Sequence, residues 1–296
     1  MDNSCKPLVQ IIGIPGSQRS AVIEAELKNQ NLNFTSNLGL IIPAHDYANE
    51  VFHNSRLSKL ILKRKLTVGE LGCALAHREA CRRLVNSPTD FPYSIIFEDD
   101  ANLMANIDLK LLGKALIDPN PRILLLGWTP EFTLVLSEQD QSLSKVVEVV
   151  VPPTGAFAYA INVAAARVIA NTTKNFTAVS DWPIEIYSTV KFFALNEPIT
   201  DWKFASRDSD IDKLDSRENH ENTNVFRRIR AIANSIIGLF ILKLFQNRSL
   251  SARQIIGCTF IRDLSFSLAK PSPTNSNFYA LPKRFQSLAR FFKVTG

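Results

Sequence analysis

Tyr93-Ser94-Ile95-Ile96-Phe97 runs without a break into Glu98-Asp99-Asp100, and that junction restricts the fold more than any other part of the chain. A short, β-prone and almost wholly apolar run is the pattern of a strand buried on both faces, as in a sheet covered by helices. Three adjacent carboxylates repel one another and cannot follow the strand into a core. They belong at its carboxyl end, on the sheet rim where α/β proteins bind ligands, either solvated or shared with a cation. An isolated acidic run is usually a solvated turn, so its surroundings have to decide.

Those surroundings alternate between strands and helices. Leu8 to Ile14 reads as a first buried strand, followed by a Pro15-Gly16-Ser17 turn and a helix capped by Ser17 or Ser20 and ending near Gln30. The glycine pattern of that turn is neither a dinucleotide fingerprint nor a P-loop. Arg19 opens the helix and is either a solvated surface cation or a guanidinium in reach of a phosphate or base. Thr67-Val68-Gly69-Glu70 has the spacing of a capping box, and the helix it opens runs to about Val85. On that helix Cys73, His77, Ala80, Cys81 and Leu84 share one face, away from Arg78, Arg82 and Arg83. His77 is therefore either a satisfied core histidine or a functional one. Further strands are expected over Arg122 to Trp128, Val146 to Val151 and Ala156 to Ile161. Asn162 should cap a helix from Val163 to Ala170. The whole reads as an α/β protein with a mainly parallel central sheet.

Side chains alternate along a strand, so Glu98 and Asp100 are expected on one side and Asp99 on the other. The four cysteines, Cys5, Cys73, Cys81 and Cys258, include no Cys-x-x-Cys pair. The spacing of Cys73 and Cys81 suits small buried residues better than a disulfide or zinc site. No basic segment followed by a long apolar one opens the chain, and no apolar run reaches the ~18 residues of a spanning helix. A cytoplasmic protein is expected.

Charge divides the chain in two. Residues 221–296 carry 12 basic and 2 acidic residues, a net of +10, whereas the rest carries 22 and 26, a net of −4. A polar, charge-dense stretch from Arg207 to Asn224 marks a domain edge. This predicts a catalytic or binding domain over 1–224 and a basic, amphipathic, helical C-terminal extension over 225–296. Bulky apolar residues interleaved with basic ones there suit an anionic membrane surface, or else a helical cap packed on the body. Nucleic acid is not the expected partner.

The ordered segments resemble glycosyltransferase family 25, which includes bacterial lipooligosaccharide galactosyltransferases. Gly69-Glu70-Leu71-Gly72-Cys73-Ala74-Leu75-Ala76-His77 is similar to the family's G-E-x-G-C-x-x-S-H segment, with Ala76 in place of the serine. Ile95 to Asp100 resembles its I-x-E-D-D strand, and the opening strand with Arg19 its first segment. Thr154 to Tyr159, Val179-Ser180-Asp181-Trp182-Pro183 and Ser209-Asp210-Ile211 resemble later elements, so the similarity spans Val9 to Ile211.

The resemblance implies a GT-A-like nucleotide-sugar fold and a hexosyltransferase with a UDP-hexose donor, UDP-galactose being the expected one. It further implies a lipooligosaccharide or lipopolysaccharide acceptor and inversion at the transferred sugar. A departing diphosphate needs a divalent cation or fixed positive charge, and Mn²⁺ and Mg²⁺ prefer oxygen ligands. Asp100 is the first candidate ligand, with Glu98 as its partner. Glu98 and Asp99 are also candidates for metal, water-bridged or ribose contacts, and Arg19 and His77 for the nucleotide site. Inversion needs one general base. Asp181 is the candidate, with Trp182 beside it to stack on a sugar, unless Asp181 merely caps a helix; Glu185 is the alternative base. The expected location is the cytoplasmic face of a bacterial inner membrane, in peripheral contact. Two other readings remain: an inactive, membrane-associated scaffold, because Ala76 departs from the pattern, and a glycoside hydrolase using Glu98 and Asp181.

Overall fold

The computed structural model of the protein describes residues 6–14, 18–36, 38–53, 55–56, 58, 65–87, 91–128, 134–136, 145–151, 155–171, 182, 186, 189–202, 270–271 and 279–281. Among these, β1 (Leu8–Ile12), α1 (Ala21–Asn29), β2 (Phe34–Thr35), α2 (Ala44–Ala48), α3 (Val68–Asn86) and β3 (Tyr93–Glu98) form the first half in chain order. They are followed by β4 (Ala101–Leu103), α4 (Leu109–Leu116), β5 (Arg122–Leu125), β6 (Leu134–Leu136) and β7 (Val146–Val151). Next come β8 (Ala158–Asn162), α5 (Val163–Asn171), β9 (Lys191–Leu195), β10 (Thr200–Trp202), β11 (Lys270–Pro271) and β12 (Tyr279–Leu281).

Ten strands form one sheet in the order β11-β12-β6-β7-β9-β5-β8-β3-β1-β2, and β4 pairs with β10 in a separate ribbon. The sheet is mixed. Its β2-β1-β3 end is parallel, as the strand–helix alternation predicts, but β8 enters antiparallel between β3 and β5. β5 and β9 are again parallel, and β7 is antiparallel to β9. The α/β class is therefore as expected, with the parallel character confined to part of the sheet.

Local sequence explains the helices that matter for the site. Thr67 accepts from the Glu70 amide and Glu70 from the Thr67 amide, so the expected capping box is complete and starts α3. Asn162 caps α5 by accepting from the Ala165 amide at 2.9 Å, and its amide group also reaches the carbonyls of Leu116, Asp118 and Asn120. Ser20 precedes α1 but gives its hydroxyl to Glu24, 2.9 Å away, rather than capping the backbone.

Alternation along β3 sends Ser94, Ile96 and Glu98 to one face and Tyr93, Ile95 and Phe97 to the other. The buried Gln10 amide donates to the Ala80 carbonyl of α3 and to the Ser94 hydroxyl of β3, at 3.0 and 2.9 Å, so α3 covers the Ser94 face. Tyr93 donates to the Leu109 carbonyl, so α4 covers the opposite face. Arg78, expected with the surface arginines of α3, is only 6% exposed. Burial also holds its guanidinium below the usual arginine value. The face of α3 that meets neighbouring elements is wider than the apolar residues alone indicate.

Of the segment 225–296, only β11 and β12 are described, and they extend the sheet beyond β6 rather than forming helix. The rest of that extension, the boundary at 224 and Ser209-Asp210-Ile211 lie outside the described residues. No helix among the described residues is long and apolar enough to cross a membrane.

Candidate functional site

β1 and β3 run side by side in the same direction, with Ile12 opposite Glu98, so both carboxyl ends reach the same edge of the sheet. The chain leaves β1 to form β2 on one side and returns to form β3 on the other. That reversal opens a crevice beyond the strand ends, the usual ligand position in open α/β sheets. Arg19 enters the crevice from the turn before α1, the three carboxylates from the end of β3, and Cys73 and His77 from α3.

β3 ends at Glu98, and Asp99 and Asp100 occupy a turn. Strand alternation therefore stops one residue too early to separate Asp99 from Asp100. Arg19 Nη2 lies 2.9 Å from Asp100 Oδ2 and 3.6 Å from Asp99 Oδ1, so both carboxylates share one guanidinium. The expected isolation of Asp99 is corrected accordingly. Gly13 makes room for this turn, because a Cβ there would lie 2.8 Å from the Asp99 Cβ.

Glu98 turns toward α3. Its Oε1 lies 3.1 Å from His77 Nε2 and accepts from the Cys73 thiol at 3.9 Å. His77 is almost fully buried, and its Nδ1 is 3.0 Å from the Tyr159 hydroxyl of β8. Tyr159 is hydrogen-bonded in turn to the buried Cys81 thiol. Burial is the main cause that pushes Cys81 up to about 12 and Tyr159 well above its ordinary value, so both stay neutral.

Asp100 is held under electrostatic tension. Burial first, and the Glu98 charge second, push its carboxyl up to about 6, with Asp99 adding to the effect and Arg19 opposing it. Its Oδ1 is buried and has no hydrogen-bond partner among the described residues. An under-neutralised carboxylate with a spare inward-facing oxygen, beside a second carboxylate, has the chemistry of a hard divalent-cation ligand. These residues fit such an ion.

The structure thus brings Arg19, His77, Glu98, Asp99 and Asp100 together. Asp181 and Glu185 lie outside the described residues. Trp182 is described and does not match its expected role. It is 4% exposed and edge-on to Tyr159 and Phe192, with ring centroids 4.9 and 5.3 Å away. A ring enclosed this way is part of the core and offers no face to a sugar. Sequence reasoning missed Cys73 and Tyr159 as members of the constellation. Cys73 had a visible signal, lying four residues before His77 on the same helical face. Tyr159 had none, because the antiparallel entry of β8 beside β3 places it.

The profile of Glycosyltransferase family 25 (LPS biosynthesis protein) matches residues 9–184. That span contains every described residue of the crevice. No curated protein matches the chain.

Proposed function

The chain belongs to glycosyltransferase family 25, a family of lipopolysaccharide-biosynthesis proteins, and from that premise we propose that it moves a hexose from a UDP-sugar to a lipooligosaccharide or lipopolysaccharide hydroxyl. The observation that carries this reading is the Asp100 carboxylate, whose Oδ1 is buried without a partner beside Glu98 and Arg19 at the strand-end crevice. Galactose is the proposed hexose, and a GT-A-type donor site is the proposed arrangement.

Asp100 and Glu98 would hold Mn²⁺ or Mg²⁺, which when bound supplies positive charge to the departing diphosphate. Arg19 sits over Asp99 and Asp100 and provides a fixed charge for the same oxygens. Both ring nitrogens of His77 are engaged within the protein, so it serves by holding Glu98 in place rather than by touching the nucleotide. Asp99, which shares Arg19 and packs against Gly13, is proposed for ribose or water contacts.

Asp181 is proposed as the base that removes the acceptor proton, with Glu185 as the alternative. The attack opposes the breaking sugar–phosphate bond, and the configuration inverts. The basic segment after 224 is proposed to rest on the anionic inner face of the bacterial membrane.

The test is a donor screen on the purified chain, using UDP-, GDP- and CMP-sugars with truncated lipooligosaccharide, with and without Mn²⁺. Transfer from a UDP-hexose that requires the cation is expected, and NMR of the new anomeric proton reads the configuration. Sugar release without transfer would show a hydrolase, and inertness toward every donor would leave a scaffold; either result rejects the proposal.

A further inference from the structure

On the inner side of the crevice, three side chains of different chemistry converge without an evident need to do so. Cys73 and His77 are one helical turn apart on α3, and Glu98 faces them from β3. One ligand atom from each, a thiol sulfur, an imidazole nitrogen and a carboxylate oxygen, lies within 4.8 Å of the other two. The transferase reading uses Glu98 and leaves the thiol unexplained.

We propose that Cys73, His77 and Glu98 form a binding site for a thiophilic divalent ion of the zinc type, beside the oxygen-ligand position at Asp100 and sharing Glu98 with it. The donor set is the first argument, since thiolate, imidazole and carboxylate together select zinc or cobalt over magnesium or manganese. Spacing is the second. Bonds of about 2.0–2.3 Å at tetrahedral angles separate ligand atoms by about 3.3–3.6 Å. Here the carboxylate oxygen lies 3.1 Å from the nitrogen and 3.9 Å from the sulfur, each within about half an ångström of that geometry.

The third argument comes from behind the histidine. A ligating imidazole ordinarily gives its other N–H to a protein acceptor, which fixes the ring and its tautomer. His77 Nδ1 has that partner in the Tyr159 hydroxyl at 3.0 Å, and Tyr159 is fully buried and bonded onward to Cys81. Without the ion Nε2 carries the proton and donates to Glu98; with it bound, the proton would move to Nδ1 and the Nε2 lone pair would take the ion that lies between it and Glu98. Cys73 and Glu98 are partly exposed, which leaves an entry path and a fourth position for water. Binding releases the Cys73 thiol proton to solvent and changes no oxidation state.

Cobalt(II) tests the site optically. Titration of the full chain should give a thiolate-to-metal charge-transfer band saturating near one equivalent, and Zn²⁺ should bleach it. Cys73→Ser should abolish the band, His77→Ala should weaken binding at least tenfold, and Cys81→Ala should retain it. No band in the wild type, or a band that survives Cys73→Ser, overturns the proposal. Should Cys73→Ser fail to fold by circular dichroism, alkylation mapped by mass spectrometry on the wild type decides. Protection of Cys73 by Zn²⁺ but not Mg²⁺ supports the site, and equal labelling with and without Zn²⁺ rejects it. Neither readout involves sugar transfer, so this site and the transferase reading fail independently.

Discussion

Replacing Asp100 by asparagine should make the metal-free protein more stable at neutral pH, against the usual effect of removing an ion-paired residue. The carboxyl rises from 3.8 in the unfolded chain to about 6 in the fold. Between those values the unfolded chain has lost the proton and the folded chain keeps it, so stability falls as pH rises through the window and levels off above it. Two pH units correspond to at most about 3 kcal/mol. The side chain is 36% exposed, and solvent screening reduces the cost to about 1–1.5 kcal/mol. Arg19 is already counted in that net shift, as a cause pulling the other way. Asn at this position leaves the shape and removes the charge. Its melting temperature at pH 7.5 should exceed wild type by roughly 2–5 °C, with no difference at pH 4. Adding Mn²⁺ should reverse the order, because saturation at about 100 times Kd stabilises a binding protein by about 2.7 kcal/mol. Differential scanning fluorimetry from pH 4 to 8, with and without Mn²⁺, reads all four corners. A metal-free variant that melts below wild type at pH 7.5, or an equal Mn²⁺ shift in both proteins, refutes the reasoning.

Three further outcomes follow from neighbouring residues. Arg19→Ala should lower kcat/KM for the donor at least tenfold, with Arg19→Lys intermediate, since the single guanidinium shared at 2.9 and 3.6 Å is lost; steady-state kinetics with varied UDP-sugar reads it. Gly13→Ala should reduce transfer far more than stability, because the new methyl meets the Asp99 Cβ at 2.8 Å and the acidic turn must shift; paired activity and melting measurements separate the two. Thr67→Ala should cost about 1 kcal/mol by opening the capping box of α3, seen as a fall of ~2–4 °C in melting temperature without a change in donor KM.

What was legible in the sequence is what local chemistry decides. The capping box set the start of α3, the apolar run set β3, and Asn162 set α5, each through contacts within a few residues. What was not legible depends on partners distant in sequence. The antiparallel direction of β8 is seen only in its pairing with β3 and β5, which no strand pattern reports, and with it came Tyr159 behind His77. Trp182 carries a sugar-binding look in its Asp-Trp-Pro setting, yet Phe192 and Tyr159 enclose it. Arg78 keeps surface periodicity and is buried by neighbours that α3 meets only in the fold. The alternation rule failed at Asp99 for a simpler reason: it holds along a strand, and the strand stops at Glu98.

The register between β1 and β3 is what makes a site of these parts. Pairing of Ile12 with Glu98 places the end of β1, Gly13 and the turn carrying Arg19 next to the carboxylates. A slip of one residue would send Glu98 to the face opposite His77, since side chains repeat every second position. Gln10 resists that slip. Its amide joins Ser94 and the Ala80 carbonyl inside the core, while its Oε1 already has no partner among the described residues. Breaking those bonds in a buried site would cost about 1–3 kcal/mol per unsatisfied group. An apolar residue at position 10 would avoid the unpartnered Oε1 but give up both bonds, so the polar choice accepts a cost in burial and gains a fixed register. The carboxylate cluster thus depends on a glutamine that never approaches it.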